Sequence, residues 1–160
     1  MPLDFNKIKF GSVVGIGEAS HGTREYQRIR LQLLRFLHKQ GSMQVLIEAP
    51  YAEVERIKTI KNINQLDQTV EKSAIFDFYK SVEFKKILRY LVAEGIPFFG
   101  TDIDHGRGAN IPTVNKIAEW VSAMNDRLYS KANWGKKEWE FREHCMQELA
   151  RRLYNGARQV

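Results

Sequence analysis

Cysteine occurs once in the 160 residues, at Cys145. One thiol forms no internal disulfide and offers no second sulfur for a thiolate metal site. Its position beside Met146 and Leu149 in a helical pattern reads as packing rather than as a nucleophile. Long apolar runs are missing too. None approaches the roughly 18 residues that a membrane-spanning helix needs, and Met1-Pro2-Leu3-Asp4-Phe5 lacks the basic-then-apolar order of a secretory signal, so a cytoplasmic protein is expected. No internal repeat or low-complexity tract interrupts the chain. With 43% hydrophobic residues it has room for one domain, 1–160, with a substantial core.

A one-signed charge stripe is also lacking. The formal charge is +6, yet the basic residues are interleaved with acids. Residues 131–160 hold Lys131, Lys136, Lys137, Arg142, Arg151, Arg152 and Arg158 against Glu138, Glu140, Glu143 and Glu148, which a solvated helical face explains. No nucleic-acid or membrane partner is expected.

What is present is an alternation of short β-branched runs and helical patterns. Ser12-Val13-Val14-Gly15-Ile16 reads as a buried strand. From Arg24 to about Gln40, Ile29, Leu33, Phe36 and Leu37 recur at the helical period, and Gly41 supplies a stop. Met43 to Ala49 reads as a second strand, followed by a helix opened by Pro50 and carrying Val54 and Ile57. Residues 61–72 are polar and weakly patterned, and read as loop with at most a short helix. Ser81 caps a helix through about Glu94, closed by Gly95, and Ile96 to Gly100 is the third strand. After the loop 102–110, Pro112 opens a helix carrying Val114, Ile117, Trp120 and Val121, and a last helix spans about 136–155 with Met146, Leu149 and Leu153 inward. Three β-then-α passages imply an α/β fold, a small parallel sheet flanked by helices. Three strands make a thin sheet, so self-association through an exposed edge is expected, as is a further strand beyond the last helix.

In parallel α/β sheets ligands bind at the carboxyl ends of the strands. The nine residues Gly17-Glu18-Ala19-Ser20-His21-Gly22-Thr23-Arg24-Glu25 occupy that position after the first strand. Glu48 ends the second, and Asp102, Asp104 and His105 follow the third. A histidine beside carboxylates removes a proton from water near neutral pH, and the same neighbours stabilise the imidazolium that forms. Arg30, on the next helix and off its apolar face, is a partner for Glu18 or Glu48 or for an anionic group of a ligand.

Other chemistries fit less well. Ser20 sits in Glu-Ala-Ser-His-Gly and lacks the glycine-flanked elbow of a hydrolase serine, so helix capping by Ser20 or Thr23 is the better reading. Glu18, His21, Asp102, Asp104 and His105 supply enough oxygen and nitrogen for a divalent ion, but not in the spacing of a zinc signature. Gly15-x-Gly17-x-x-Ser20 imitates a dinucleotide fingerprint without its third glycine. No cofactor is expected.

The frame Gly17 to Glu25, then Arg30, then Leu46-Ile47-Glu48-Ala49, resembles the start of the erythromycin esterase family. Phe98-Phe99-Gly100-Thr101-Asp102-Ile103 is similar to that family's third-strand segment, and Arg142 to Leu153 to a helix well down its chain. The resemblance implies hydrolysis of a small-molecule ester, in the known cases the lactone of macrolide antibiotics. It makes His21 the general base that activates water, Glu18 its carboxylate partner, and Arg30 and Glu48 cleft residues; Asp102, after the third strand, is expected to contact substrate beside them. The chain departs from the family in being much shorter. Its segment between the third strand and the late helix is cut down, and the family's second histidine motif is absent. Two alternatives follow: a domain that keeps the motif but only binds, and a metal-dependent hydrolase.

Overall fold

The structure is a computed structural model that describes residues 8, 13–17, 23–60, 62–106, 109–130 and 135–157. It is an α/β fold with a small parallel sheet flanked by helices. In chain order the elements are α1 (Arg24–Gln40), β1 (Val45–Pro50), α2 (Tyr51–Lys58), α3 (Ile63–Lys72), a 3-10 turn (Asp77–Lys80), α4 (Val82–Ala93), β2 (Phe98–Asp102), α5 (Lys116–Leu128) and α6 (Lys136–Ala157). No helix among the described residues is long and apolar enough to cross a membrane. They divide between two compact units, a helical unit from Met1–Gln44 and Phe76–Pro97 and a sheet unit from Val45–Ile75 and Phe98–Val160.

In the helical unit α1 and α4 pack side by side. Arg24 in the first turn of α1 meets Glu83 in the first turn of α4, at 2.6 Å, and His38 near the end of α1 meets Tyr90 near the end of α4, at 3.0 Å, so the two helices run in the same direction. Leu33 and Leu34 are buried on α1, and Phe84, Ile87, Leu88 and Leu91 on α4. The cap expected at Ser81 is present, its hydroxyl accepting from the Phe84 amide at 3.3 Å. Gly95 follows α4 with φ +64, a left-handed turn that glycine adopts without strain.

In the sheet unit β1 and β2 pair in parallel, with Val45 opposite Phe98, Leu46 opposite Phe99 and Ile47 opposite Gly100. The register then slips, and Pro50 faces Asp102. A proline has no N–H to give to the ladder, so a strand-end position suits it. α2 and α6 pack against β2, and α5 against α6. The core between them is built from Tyr51, Ile103, Ile111, Ala118, Val121, Leu128, Cys145, Leu149 and Leu153. Cys145 is indeed a packing residue, and burial pushes its thiol pKa up.

Several expectations are corrected. Residues 13–17 form no strand, and Val13 is 85% exposed, so the first β-branched run is neither paired nor buried; Ser12 lies outside the described residues. Among the described residues the sheet therefore has two strands. Residues 63–72 are the helix α3, capped by the Asn62 side chain, with Leu66 and Val70 fully buried one turn apart. β2 starts at Phe98 rather than Ile96, after Pro97. α5 starts at Lys116, where the Asn115 side chain accepts from the Ala118 amide at 2.8 Å, and Val114 stays outside it at 78% exposure. A capping acceptor outweighed the proline three residues earlier.

The contact between β1 and β2 depends on Gly100. A methyl group there would lie 2.5 Å from the Ala49 carbonyl oxygen, 2.8 Å from the Tyr51 Cα and 2.9 Å from the Pro50 carbonyl oxygen, all of them backbone. Gly100→Ala is expected to destabilise the fold by about 1–3 kcal/mol, the usual cost of overpacking, read as a lower urea midpoint.

Candidate functional site

Glu18, Ser20 and His21 lie outside the described residues. Thr23 holds the N-cap position of α1, its carbonyl accepting from the Gln27 amide at 3.2 Å. Arg30 is half-buried on α1 and its Nη1 donates to Gln27 Oε1 at 3.3 Å. The remaining candidates, Glu48, Asp102, Asp104 and His105, belong to the sheet unit.

Of these four, Asp102 is met by Arg142, which reaches it from α6. Asp102 closes β2 and is fully buried. Arg142 Nε donates to Asp102 Oδ1 at 3.0 Å and Nη2 donates to Oδ2, a bidentate pair with both side chains nearly out of solvent. Burial would lower the Arg142 pKa, but the hydrogen bonds and charge of Asp102, with the charges of Asp104 and Glu48 behind them, raise it above its ordinary value. Glu48 itself is exposed on β1 between buried Ile47 and Ala49. The guanidinium has one further edge, Nη1, with no hydrogen-bond partner among the described residues, and the side chain keeps 10% of its surface open. A fixed cation of this kind can receive a carboxylate or an oxyanion.

The loop after β2 is pinned by its own polar groups. The Asp104 amide donates to Asp102 Oδ1 at 2.9 Å, while Asp104 Oδ1 accepts from the Gly106 amide at 3.1 Å and from the Tyr129 hydroxyl at 2.6 Å. The His105 amide donates to Asn125 Oδ1 at 3.0 Å. Its ring is equally committed. Nδ1 lies 2.8 Å from the Ile103 carbonyl oxygen, which can only accept, and Nε2 accepts from the Ala52 amide at 2.9 Å. The partners therefore assign the neutral tautomer with hydrogen on Nδ1. Ala52 lies in the first turn of α2, whose N-cap Pro50 has no side-chain acceptor, so the imidazole satisfies an amide that would otherwise be orphaned.

These contacts bear on the metal reading. Both ring nitrogens of His105 and both oxygens of Asp102 already have partners. Among the described residues no group of three or more His, Cys, Asp or Glu side chains is placed to hold a metal ion. No known family's profile, no curated protein and no solved structure matches the chain.

Arg142 is the residue whose place the sequence reading missed, since it was counted with a solvated helical face. The signal was present: Arg142 leads the buried series Cys145, Leu149 and Leu153 at helical spacing, and a cation on an inward stripe needs a buried carboxylate.

Two outcomes follow from this geometry. Asp102→Asn, which leaves the buried guanidinium without its counter-charge, is expected to cost about 3–5 kcal/mol of stability, measured by urea denaturation. For His105, burial first of all lowers the pKa, against the opposing pull of the Ile103 carbonyl and the charges of Asp102, Glu53 and Asp104. The unfolded chain then takes up the proton at higher pH than the folded one, so this contribution to stability is complete above about pH 6.5 and is lost as pH falls through the depressed folded value. His105→Gln is expected to remove that part of the acid slope, seen by comparing urea midpoints of the two proteins between pH 7 and pH 5.

Proposed function

We propose that the chain is a hydrolase of the erythromycin esterase type, cleaving a carboxylic ester or macrolide lactone, and that it acts in the cytoplasm. One observation carries the reading. The third-strand segment and the late helix, two of the segments in which the sequence resembles that family, are joined in the sheet unit by the buried Asp102–Arg142 pair. Two stretches separated by 40 positions are thus held together by a contact that neither needs for its own secondary structure.

In this reading the His21 imidazole takes a proton from water, Glu18 stabilises the imidazolium, and the resulting hydroxide attacks the ester carbonyl. The proton then passes to the leaving alkoxide as the tetrahedral intermediate collapses. Negative charge gathers on the carbonyl oxygen and needs a fixed positive group. Within the sheet unit both oxygens of Asp102 are committed to Arg142, so Asp102 acts through that arginine rather than on substrate. Arg30 and Glu48 are assigned to substrate contact by the resemblance.

The test is hydrolysis of aryl esters and macrolactones by the full chain beside His21→Ala and Arg142→Lys, with folding of each followed by circular dichroism. His21→Ala is expected to lose about 10²–10⁴-fold in rate, the range for removing a general base. Arg142→Lys, which keeps the charge but loses the fork that grips Asp102, is expected to lower the urea midpoint. Equal inertness of folded wild type and folded His21→Ala would sink the catalytic reading in favour of a domain that only binds.

A further inference from the structure

The C-terminal ends of α1 and α4 border an open cleft of about 420 Å³ lined by Arg35, His38, Lys39, Tyr90 and Glu94, all within the helical unit. Arg35 and Lys39 stand one turn apart on α1, where like charges repel. The helix macrodipole accounts for His38 and Lys39, which lie in the last turn, but it fades within that turn and does not account for Arg35. Among the described residues neither Arg35 nor Lys39 has an acidic partner or a hydrogen bond. The contact of Arg35 is the Tyr90 ring, 5.5 Å from its guanidinium carbon. Glu94, the carboxylate of the cleft, lies 4.0 Å from His38 Nδ1 instead. That nitrogen is also 3.0 Å from the Tyr90 hydroxyl, which orients the ring and leaves Nε2 without a partner among the described residues.

We propose that this cleft binds the phosphate group of a small phosphorylated molecule. A planar guanidinium fork, a compact ammonium and an imidazole N–H are three donors of different geometry, and a phosphate offers three oxygens and up to two negative charges to receive them. An anion between Arg35 and Lys39 also relieves their mutual repulsion. A membrane phospholipid fits less well. Among the described residues the large exposed apolar side chains of this unit, Val13, Ile16, Phe76 and Val82, are not in the lining, which favours a small molecule over a bilayer surface. The site is independent of the esterase reading.

The experiment titrates the full chain with inorganic phosphate at fixed pH and ionic strength and follows the His38 ring resonances by NMR. Arg35→Gln/Lys39→Gln is run beside Lys72→Gln, an exposed lysine far along the chain that controls for loss of charge. Vesicles of phosphatidylcholine with and without phosphatidate form the second arm. The expected result is a saturable His38 shift, weakened about tenfold or more in the double variant and unchanged in Lys72→Gln, with no vesicle binding. A shift that does not saturate, binding that is equal in the double variant, or equal weakening in Lys72→Gln would overturn the site. Binding to phosphatidate vesicles would overturn the small-molecule assignment.

Discussion

The buried pair of Asp102 and Arg142 constrains the sheet unit more than any other contact. Removing either charge from water costs several kcal/mol, and only good geometry with further hydrogen bonds offsets it. Both conditions hold. The guanidinium meets the carboxylate edge to edge, and the carboxylate takes a third hydrogen bond, at Oδ1, from the Asp104 amide. Because the pair joins the end of β2 to the second turn of α6, any sliding of the helix along the strand would separate two charges that have nowhere else to go. Apolar residues such as Leu149 and Leu153 give α6 its affinity for the core, but they would tolerate a shifted register that the ion pair does not.

From that anchor residues 103–106 are held by hydrogen bonds on both sides. Asp102 fixes Asp104, Asp104 fixes Gly106 and Tyr129, and Asn125 closes the other side by accepting from the His105 amide and donating to the Gly106 carbonyl at 3.3 Å. Gly106 sits at φ +89, a conformation that a side chain would strain. The dense run of acids and histidine after β2 therefore has a structural account for most of its members. They satisfy one another and the first turn of α2. What keeps contact with solvent is smaller and better defined: chiefly the carboxylate of Glu48 and a tenth of the Arg142 side chain.

Much of this was legible in the sequence, and the parts that were not share a cause. α1, α4 and α6 were readable because their apolar residues repeat at the helical period over several turns, and β1 and β2 because each is a short apolar run between helices. α3 was underread because its stripe is only Leu66 and Val70 in a polar segment, although Asn62 offered a cap. The run from Val13 to Ile16 was overread, since β-branched composition describes a residue that suits a strand and not whether a partner strand is available. The role of Arg142 needed the same step. Its burial could be inferred from spacing, but its partner lies 40 positions away, and only the packing of α6 on β2 supplies it.

The contrast between the two units shows where the chain retains groups that local stability does not require. Among the described residues of the sheet unit, every fully buried side-chain nitrogen or oxygen has a hydrogen-bond partner. In the helical unit Gln27 is fully buried on the first turn of α1, and its Nε2 finds no acceptor among the described residues. An unmet buried amide costs about 1–3 kcal/mol. The carbonyl of the same amide accepts from Arg30, so the glutamine holds one of the motif residues while leaving a donor of its own unused. Further along the same helix, Arg35 and Lys39 repel each other beside a cleft. Sequences keep such conflicts where another demand competes with folding. Here they fall on one helix, α1, whose first residues are Arg24 and Glu25.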